Sequence, residues 1–323
     1  MVIEFEGKRS TAKEARKILR RQIDKGLKCL DGRRISDGRI HRARKQIKMA
    51  RATLRLLREG LPNKQYRAEN RRLRDAAKPL SEARDAAVLR KAFEGIRAGT
   101  PSPGACSWGT PGSGARGLGV RGRRFRHGAL EMDRLLASEQ SKAHRQVAGG
   151  RGVPHACRLL HEARARTSRW HLGGDGWSTI GEGLRRMYRQ GRKTLQAVHT
   201  APSDAAFHEW RKQVKYLRYQ IQLLRPIWSG PLEALAGELR GLCDYLGEDH
   251  DLVVLRAKLT ANDSPLTNEP GCRALLATLD RKRVTLRRKA MRVGGRIYKE
   301  SPALFCSRLR QHWKDWRDGV NKA

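Results

Sequence analysis

The chain has 323 residues, enough for one large domain or two smaller ones with a buried core. Its 70 Lys and Arg against 32 Asp and Glu give a formal net charge of +38, an excess that repels itself in the folded state and is typical of proteins that bind a polyanion. Nucleic acid, an anionic membrane surface and polyphosphate are the candidate anions, and an aromatic content of 6% disfavours the stacking of unpaired bases.

Two further features of the composition concern the compartment. The sequence has no apolar run of 18 residues, and its start, MVIEFEGKRS, lacks the apolar stretch of a secretory signal. Six cysteines are scattered without a C-x-x-C pair, which fits a reducing cytoplasm better than a disulfide framework or a zinc site. We therefore expect a cytoplasmic protein that does not associate with membranes.

Most of the sequence has helical periodicity, and few segments alternate as strands do. Gly60-Leu61-Pro62 ends one predicted helix, Pro202-Ser203-Asp204 begins another, and that helix must stop before Pro226. The predicted helices are, in chain order, 11–30, 37–59, 64–97, 129–147, 155–169, 179–198, 204–225, 232–259, 271–292 and 303–317.

The stretch 99–122 differs from the rest of the chain. It holds eight Gly and three Pro in 24 residues, a density that predicts a flexible loop. A reading-frame artefact is the alternative, because out-of-frame translation of GC-rich DNA yields Arg, Gly, Pro and Ala.

The two halves of the chain repeat one another. The pattern His-x2-Arg-x3-Lys-x2-Arg begins at His41 and again at His208, 167 residues later, and residues 73–90 align with 239–256. Residues 20–30 have a weaker echo at 188–198. The repeat predicts an all-α fold of two similar helical bundles related by a pseudo-two-fold axis. The expected segments are a first half (1–98), a Gly/Pro-rich loop or insert (99–126), the end of the first bundle (127–170) and a second half (171–323).

Each repeated helix carries two parallel stripes of side chains. Apolar residues recur three and four apart, which predicts a face packed in a bundle core. Basic residues sit one position later, about 100° around the helix, so a basic stripe borders each buried stripe. The apolar stripes are Ile40, Ala43, Ile47, Ala50, Leu54 and Leu57 in the first copy and Phe207, Trp210, Val214, Leu217, Ile221 and Leu224 in the second.

A basic stripe on a helix is usually just a solvated face. Here the four motif positions contain no carboxylate in either copy, and the stripe borders the core instead of lying opposite it. Like charges three and four apart destabilise a helix, and a bound polyanion would remove that strain. We therefore interpret the stripes as an anion-binding site.

These motifs resemble those of the conserved-histidine α-helical domain (CHAD) family. The resemblance rests on HxxRxxxKxxR occurring twice on long helices, with RDA-like and HD-like helices after each copy. GEGLRRMYRQGRK (181–193), LGEDHDLVVLR (246–256) and RIYKESPALF (296–305) match as well, so the similarity spans nearly the whole chain outside the Gly-rich segment. One departure is Arg84, which stands where the second half has His250.

The resemblance implies two pseudo-symmetric bundles around a basic central cavity, binding of inorganic polyphosphate, and association with polyphosphate granules. Arg suits bidentate phosphate contacts and Lys point-charge contacts. The predicted polyphosphate-binding residues are His41, Arg44, Lys48, Arg51, Arg55, His208, Arg211, Lys215, Arg218, Arg185, Arg189, Arg192, Lys193, Arg21, Lys25 and His250.

We expect no catalytic residues, cofactor or metal. Glu4, Glu6 and Lys8 match the E-x-E-x-K opening of triphosphate tunnel enzymes, but a helix follows at once, so we interpret this match as coincidence. Asp249-His250-Asp251 lacks a second ligand cluster, and Asp251, like its counterpart Asp85, is expected to orient basic side chains. The main hypothesis is a non-enzymatic polyphosphate-binding protein; the alternatives are a nucleic-acid-binding protein, favoured by charge alone, and an accessory protein of a phosphohydrolase or kinase.

Overall fold

The structure, a computed structural model, describes residues 3–32, 35–98, 115–266 and 270–322, and within these ranges the side chains of all but 82–84, 115–126, 270, 321 and 322. This part of the chain is built from α-helices and short 3-10 turns and contains no strand, so the all-α prediction is confirmed. The helices are α1 (Thr11–Leu30), α2 (Asp37–Leu56), α3 (Asn63–Ala77), α4 (Ser81–Ala98), α5 (Ala115–Ala148), α6 (Gly152–Thr167), α7 (Gly181–Thr200), α8 (Asp204–Leu224), α9 (Ser229–Leu259), α10 (Pro270–Ile297) and α11 (Pro302–Lys322).

Local sequence signals explain where the key helices begin. The hydroxyls of Ser10, Ser36 and Ser203 cap α1, α2 and α8 by accepting a hydrogen bond from a backbone N–H three residues on. A 3-10 turn, Arg225–Trp228, follows α8 and contains the proline that prevents the helix from continuing.

Two predicted boundaries are wrong. The segment 64–97 is two helices, α3 and α4, because Pro79 interrupts the chain between them. The expected loop is partly helical, because α5 begins at Ala115, after Pro111, the last proline of the stretch. The glycines at 117, 119 and 122 weaken a helix but do not block its hydrogen bonds. The rest of that loop, residues 99–114, lies outside the described residues, and the alternative of a reading-frame artefact stays open.

The apolar stripes of α2 and α8 are buried, as predicted: all twelve side chains are at most 3% exposed. The two helices contact each other, and the buried Gln220 donates from Nε2 to the Ala52 carbonyl oxygen at 3.1 Å. The main apolar cluster contains side chains of α2 and α8 together, so the two halves of the chain share a core. A second, smaller cluster is formed by α4, α5, α9 and α10.

A glycine sets how closely α7 approaches α2. A Cβ on Gly183 would lie 2.0 Å from the carbonyl oxygen of Leu56, so only glycine permits this contact. Because α7 also packs on α8, this close approach fixes the rotation of α7 about its axis and therefore the direction of its basic side chains. None of the described helices combines the length and apolarity that crossing a lipid bilayer requires.

Candidate functional site

Four cations of the doubled motif come together where α2 contacts α8. We call Arg44, Lys48, Arg211 and Lys215 the central cluster. Burial, together with the charges of Lys215, Arg44 and Arg211, lowers the pKa of Lys48 to about 7. Burial and the same two arginines lower the pKa of Lys215 to about 8. The basic stripes of the two halves therefore face one another, and each lysine is electrostatically destabilised by the cations of both helices.

Two carboxylates lie beside this cluster. Arg44 donates from Nη1 to Asp85 Oδ1 at 3.4 Å, and it also donates to the backbone and hydroxyl oxygens of Ser81 on α4. Burial lowers the pKa of Arg211, and Asp251 opposes that shift most strongly. Asp85 thus orients Arg44 as the sequence predicts, and the two carboxylates offset part of the positive charge of the cluster.

The basic stripe of α2 continues from the central cluster onto an aromatic ring of α8. The guanidinium carbons of Arg55 and Arg51 lie 4.2 Å and 5.8 Å from the centre of the Tyr216 ring. Burial lowers the pKa of Arg51, whose Nε donates to Asn70 Oδ1. A guanidinium stacked on a ring keeps its N–H groups directed outward at its edge, which suits contact with phosphate oxygens. Tyr216 follows the motif lysine Lys215 directly, but it is not among the residues predicted to bind the ligand.

Beyond Tyr216 the stripe reaches a small cavity of 210 Å³ between α2, α3, α7 and α8. Arg55 and Arg58 of the α2 end and Arg186 of α7 line it. Arg186 pairs with Glu59 at 2.6 Å, which ties the second turn of α7 to the turn after α2. Arg186 is therefore the α7 cation that the structure brings to the motif helices.

The histidines of the second half form a pair beside the central cluster. The ring centres of His208 and His250 are 4.9 Å apart, and His250 Nδ1 lies 3.4 Å from Asp251 Oδ1. Burial and His250 lower the pKa of His208. The two rings line a cavity of 190 Å³ together with Asp204 and the buried Asp249. His41 of the first half is exposed on α2, and the side chain of Arg84, the counterpart of His250, lies outside the described residues.

The carboxylates of that cavity hold two arginines that the sequence analysis did not single out. The Nε atoms of Arg283 and Arg287 of α10 donate to Asp249 Oδ1 at 3.1 and 3.0 Å, and both side chains also reach Asp204. Their spacing of four residues, which places them on one face of α10, is the signal that could have found them.

Several predicted ligands lie elsewhere. Arg21 pairs with Glu6 at 3.1 Å, and Lys25 is exposed on α1. The remaining predicted ligands of α7 line a separate groove against the start of α11, and we call this surface the α7 groove; its cations are Arg185, Arg189, Arg192 and Lys193.

The acidic residues that resemble an enzyme motif are engaged in ion pairs. Glu4 pairs with Arg225 at 2.6 Å, and Glu6 pairs with Lys17 and Arg21. Their segment forms no strand, and the described residues contain no group of three or more His, Cys, Asp or Glu side chains arranged to hold a metal ion. The cysteines in the described part of the chain are free thiols.

Comparison with known proteins concerns the fold and the family of the chain. The crystal structure of the CHAD domain from the plant Ricinus communis is similar, with a TM-score of 0.60 and 16% identity over 93% of this chain and 95% of that one. PptA from Streptomyces chartreusis has a TM-score of 0.55 and 14% identity over 90% of this chain and all of the other. No curated protein matched at a significant level. The family model of the CHAD domain matches residues 17–260, so the chain belongs to the CHAD family.

Proposed function

We propose that this protein binds inorganic polyphosphate without catalysis, and that the central cluster is the middle of the binding site. The observation that carries the proposal is the burial of Lys48 and Lys215 among four cations at the contact of α2 with α8. Four basic side chains meet two carboxylates there in a region of reduced dielectric, and the lowered pKa values of both lysines reflect the cost of holding positive charge in it. A bound polyanion supplies the missing negative charge.

The packing of the helices supports two pseudo-symmetric halves around this site. α1 packs on α2 and α6, and α7 packs on α8 and α11; likewise α4 packs on α5, and α9 packs on α10. These corresponding contacts follow the order of the sequence repeat. We propose that the halves enclose a basic central cavity, with the stripes of α2 and α8 as opposite walls.

Placement of the cations favours polyphosphate over nucleic acid. Arg44 is only 9% exposed, and Lys48, Arg211 and Lys215 are half-buried between helices, where a duplex cannot follow. Duplex-binding proteins place their cations on open surfaces that track the phosphate backbone. Polyphosphate is a thin chain of repeated phosphates, so it can enter between helices. In cells, such binding would place the protein in the cytoplasm on polyphosphate granules.

We propose that the protein is not an enzyme because its acidic residues serve as partners of arginines. Glu4, Glu6, Asp85 and Asp249 each hold basic side chains of this chain, which leaves them poorly placed to hold Mg²⁺ on a phosphate.

The test replaces all four residues of the central cluster by Gln. The affinity for long-chain polyphosphate at about 0.15 M salt should fall by about two orders of magnitude or more, because four charged contacts are lost. Helix content by circular dichroism should be unchanged, since the apolar stripes remain. The matched control removes the same charge from exposed positions on α3 and α10, namely Lys64, Arg67, Arg71 and Arg288.

Competition distinguishes the alternative ligand. Labelled polyphosphate bound to the wild-type protein should be displaced by unlabelled polyphosphate and much less by DNA or RNA at equal phosphate concentration. Wild-type affinity in the folded quadruple variant, or equal displacement by nucleic acid, would reject the proposed site.

A further inference from the structure

A crevice beside the first turn of α7 combines aromatic, acidic and basic side chains. It has a volume of 730 Å³ and lies between the start of α7, the turn before it and α11. Trp177 is partly buried there, and its ring centre lies 5.9 Å from that of the buried Trp313. We call this space the aromatic crevice. Its size falls within the range of small-molecule sites.

The Trp177 ring is held in a fixed position. A Cβ on Gly181 would lie 2.3 Å from Trp177 Nε1, so the indole rests directly on the backbone of the first turn of α7. Trp313 also lines this crevice. Its ring centre lies 5.6 Å from that of Phe5 and 5.3 Å from that of Trp316, and these contacts hold it in place. An indole that is oriented by its neighbours and still partly accessible in a crevice is suited to stack with a flat ligand.

The aromatic crevice opens into the α7 groove, which has a volume of 880 Å³. Arg185 and Ala303 line both spaces, so the two meet at this point. Arg185 and Lys193 are eight residues apart, which corresponds to about 12 Å along the helix axis. The groove therefore presents a row of four cations that starts at the mouth of the aromatic crevice.

The aromatic crevice is lined by the cations Arg185, Arg310, Lys314 and Arg317, but unlike the α7 groove it carries carboxylates among them. The aromatic crevice is also lined by the carboxylates Asp175 and Glu182 close to Trp177, and carboxylates repel phosphate. They accept hydrogen bonds from the amino group of adenine or from the ring N–H and amino group of guanine. Both are already held in place, since Asp175 Oδ1 accepts from the Thr11 backbone N–H at 2.6 Å and Glu182 pairs with Arg185 at 3.3 Å.

We propose that the aromatic crevice and the α7 groove together form a binding site for a purine nucleoside polyphosphate, distinct from the central cluster. The base stacks on Trp177 with its N–H groups directed to Asp175 and Glu182. The phosphate chain lies along the α7 groove. This assigns the four cations of the α7 groove a ligand of their own.

The decisive comparison is between a nucleotide and its phosphate chain alone. In calorimetric titrations of the 323-residue chain, ATP or GTP should bind about tenfold or more tightly than inorganic triphosphate, because stacking of the base adds to the phosphate contacts. Trp177→Leu should abolish this preference, whereas Trp177→Phe should keep most of it, and circular dichroism checks that both variants fold. Arg189→Gln with Arg192→Gln, both on exposed positions, should weaken nucleotide binding about tenfold or more.

The same titration in the quadruple variant of the central cluster separates this site from the proposed polyphosphate site. The preference for nucleotide should persist there even though long-chain polyphosphate no longer binds tightly. Equal affinity for nucleotide and triphosphate in the wild type, or a preference that survives Trp177→Leu, would overturn the assignment. So would unchanged nucleotide affinity in the double arginine variant.

Discussion

Protonation of the two central lysines should make polyphosphate binding strongly dependent on pH. In the free protein, burial and neighbouring cations hold the pKa of Lys48 at about 7 and that of Lys215 at about 8. A bound polyanion favours the charged form of both lysines and raises both pKa values. Binding at alkaline pH must therefore take up protons, and affinity must fall as the pH rises through these values.

The size of the effect follows from the two pKa values. At pH 8, Lys48 is about nine-tenths neutral and Lys215 about half neutral, so full protonation on binding takes up about 1.4 protons. At each pH unit above the pKa that a lysine has in the free protein, its deprotonation lowers the affinity by about a factor of ten. Between pH 7 and pH 9 the affinity should fall by about 100-fold or more.

Calorimetry in two buffers of different ionisation enthalpy measures the proton uptake directly. The matched control is Lys48→Arg with Lys215→Arg, which stays charged throughout this range and should bind at pH 9 with little proton uptake. An affinity that does not change between pH 7 and pH 9 in the wild type, with no proton uptake at pH 8, would refute the electrostatic account of the cluster.

The same shifts predict how the free protein responds to pH. The folded chain binds fewer protons than the unfolded chain above pH 7, because an unfolded lysine has its ordinary pKa. Stability should therefore rise as the pH increases from about 7 towards 10 in the absence of ligand. Urea unfolding of the wild type and of the double arginine control measures this; a loss of wild-type stability over that range would contradict it.

Three further predictions concern ligand length, chemistry and the fold. Long polyphosphate should bind far more tightly than triphosphate at the central cluster. The slope of log affinity against log salt concentration should be roughly −0.7 per phosphate contact, and it should become flatter when either basic stripe is neutralised. An unchanged slope in a salt titration would show that the anion lies elsewhere. The purified protein should neither shorten polyphosphate nor hydrolyse nucleoside triphosphates, and phosphate release abolished by Glu4→Gln with Glu6→Gln would show that these carboxylates are catalytic. Gly183→Ala should destabilise the fold by about 2 kcal/mol in urea unfolding, because its Cβ meets the Leu56 carbonyl oxygen, whereas Gly237→Ala in the open on α9 should be neutral or stabilising.

Much of the fold could be predicted because it depends on local periodicity. The spacing of Ile40, Ala43 and Ile47 predicts the buried face of α2, and the structure places these residues there. Serine caps mark the starts of α1, α2 and α8. The break at Pro79 lies inside the segment 64–97, which is predicted as a single helix, although a proline cannot continue a helix.

Contacts between distant segments were harder to predict. The repeat shows that two basic stripes exist, but only the packing of α2 on α8 shows that they face each other. The division of the α7 cations between two surfaces depends on how far α7 is rotated, which the contact of Gly183 with Leu56 determines. Tyr216 gains its role from arginines on another helix, so no pattern within its own helix reveals it.

The position of the basic stripes explains how the fold tolerates buried lysines. Each cation follows an apolar residue by one position, so the burial of Ile47 and Val214 between helices carries Lys48 and Lys215 to the edge of the same interface. Apolar burial stabilises the helix pair at about 25 cal/mol per Å², while the cations destabilise it. The cations are thus held close together before any ligand arrives, and the apolar stripes offset the repulsion. A polyanion then binds to cations that folding has already brought together against their repulsion. Replacing these cations by neutral side chains is therefore expected to stabilise the free protein and to weaken the complex.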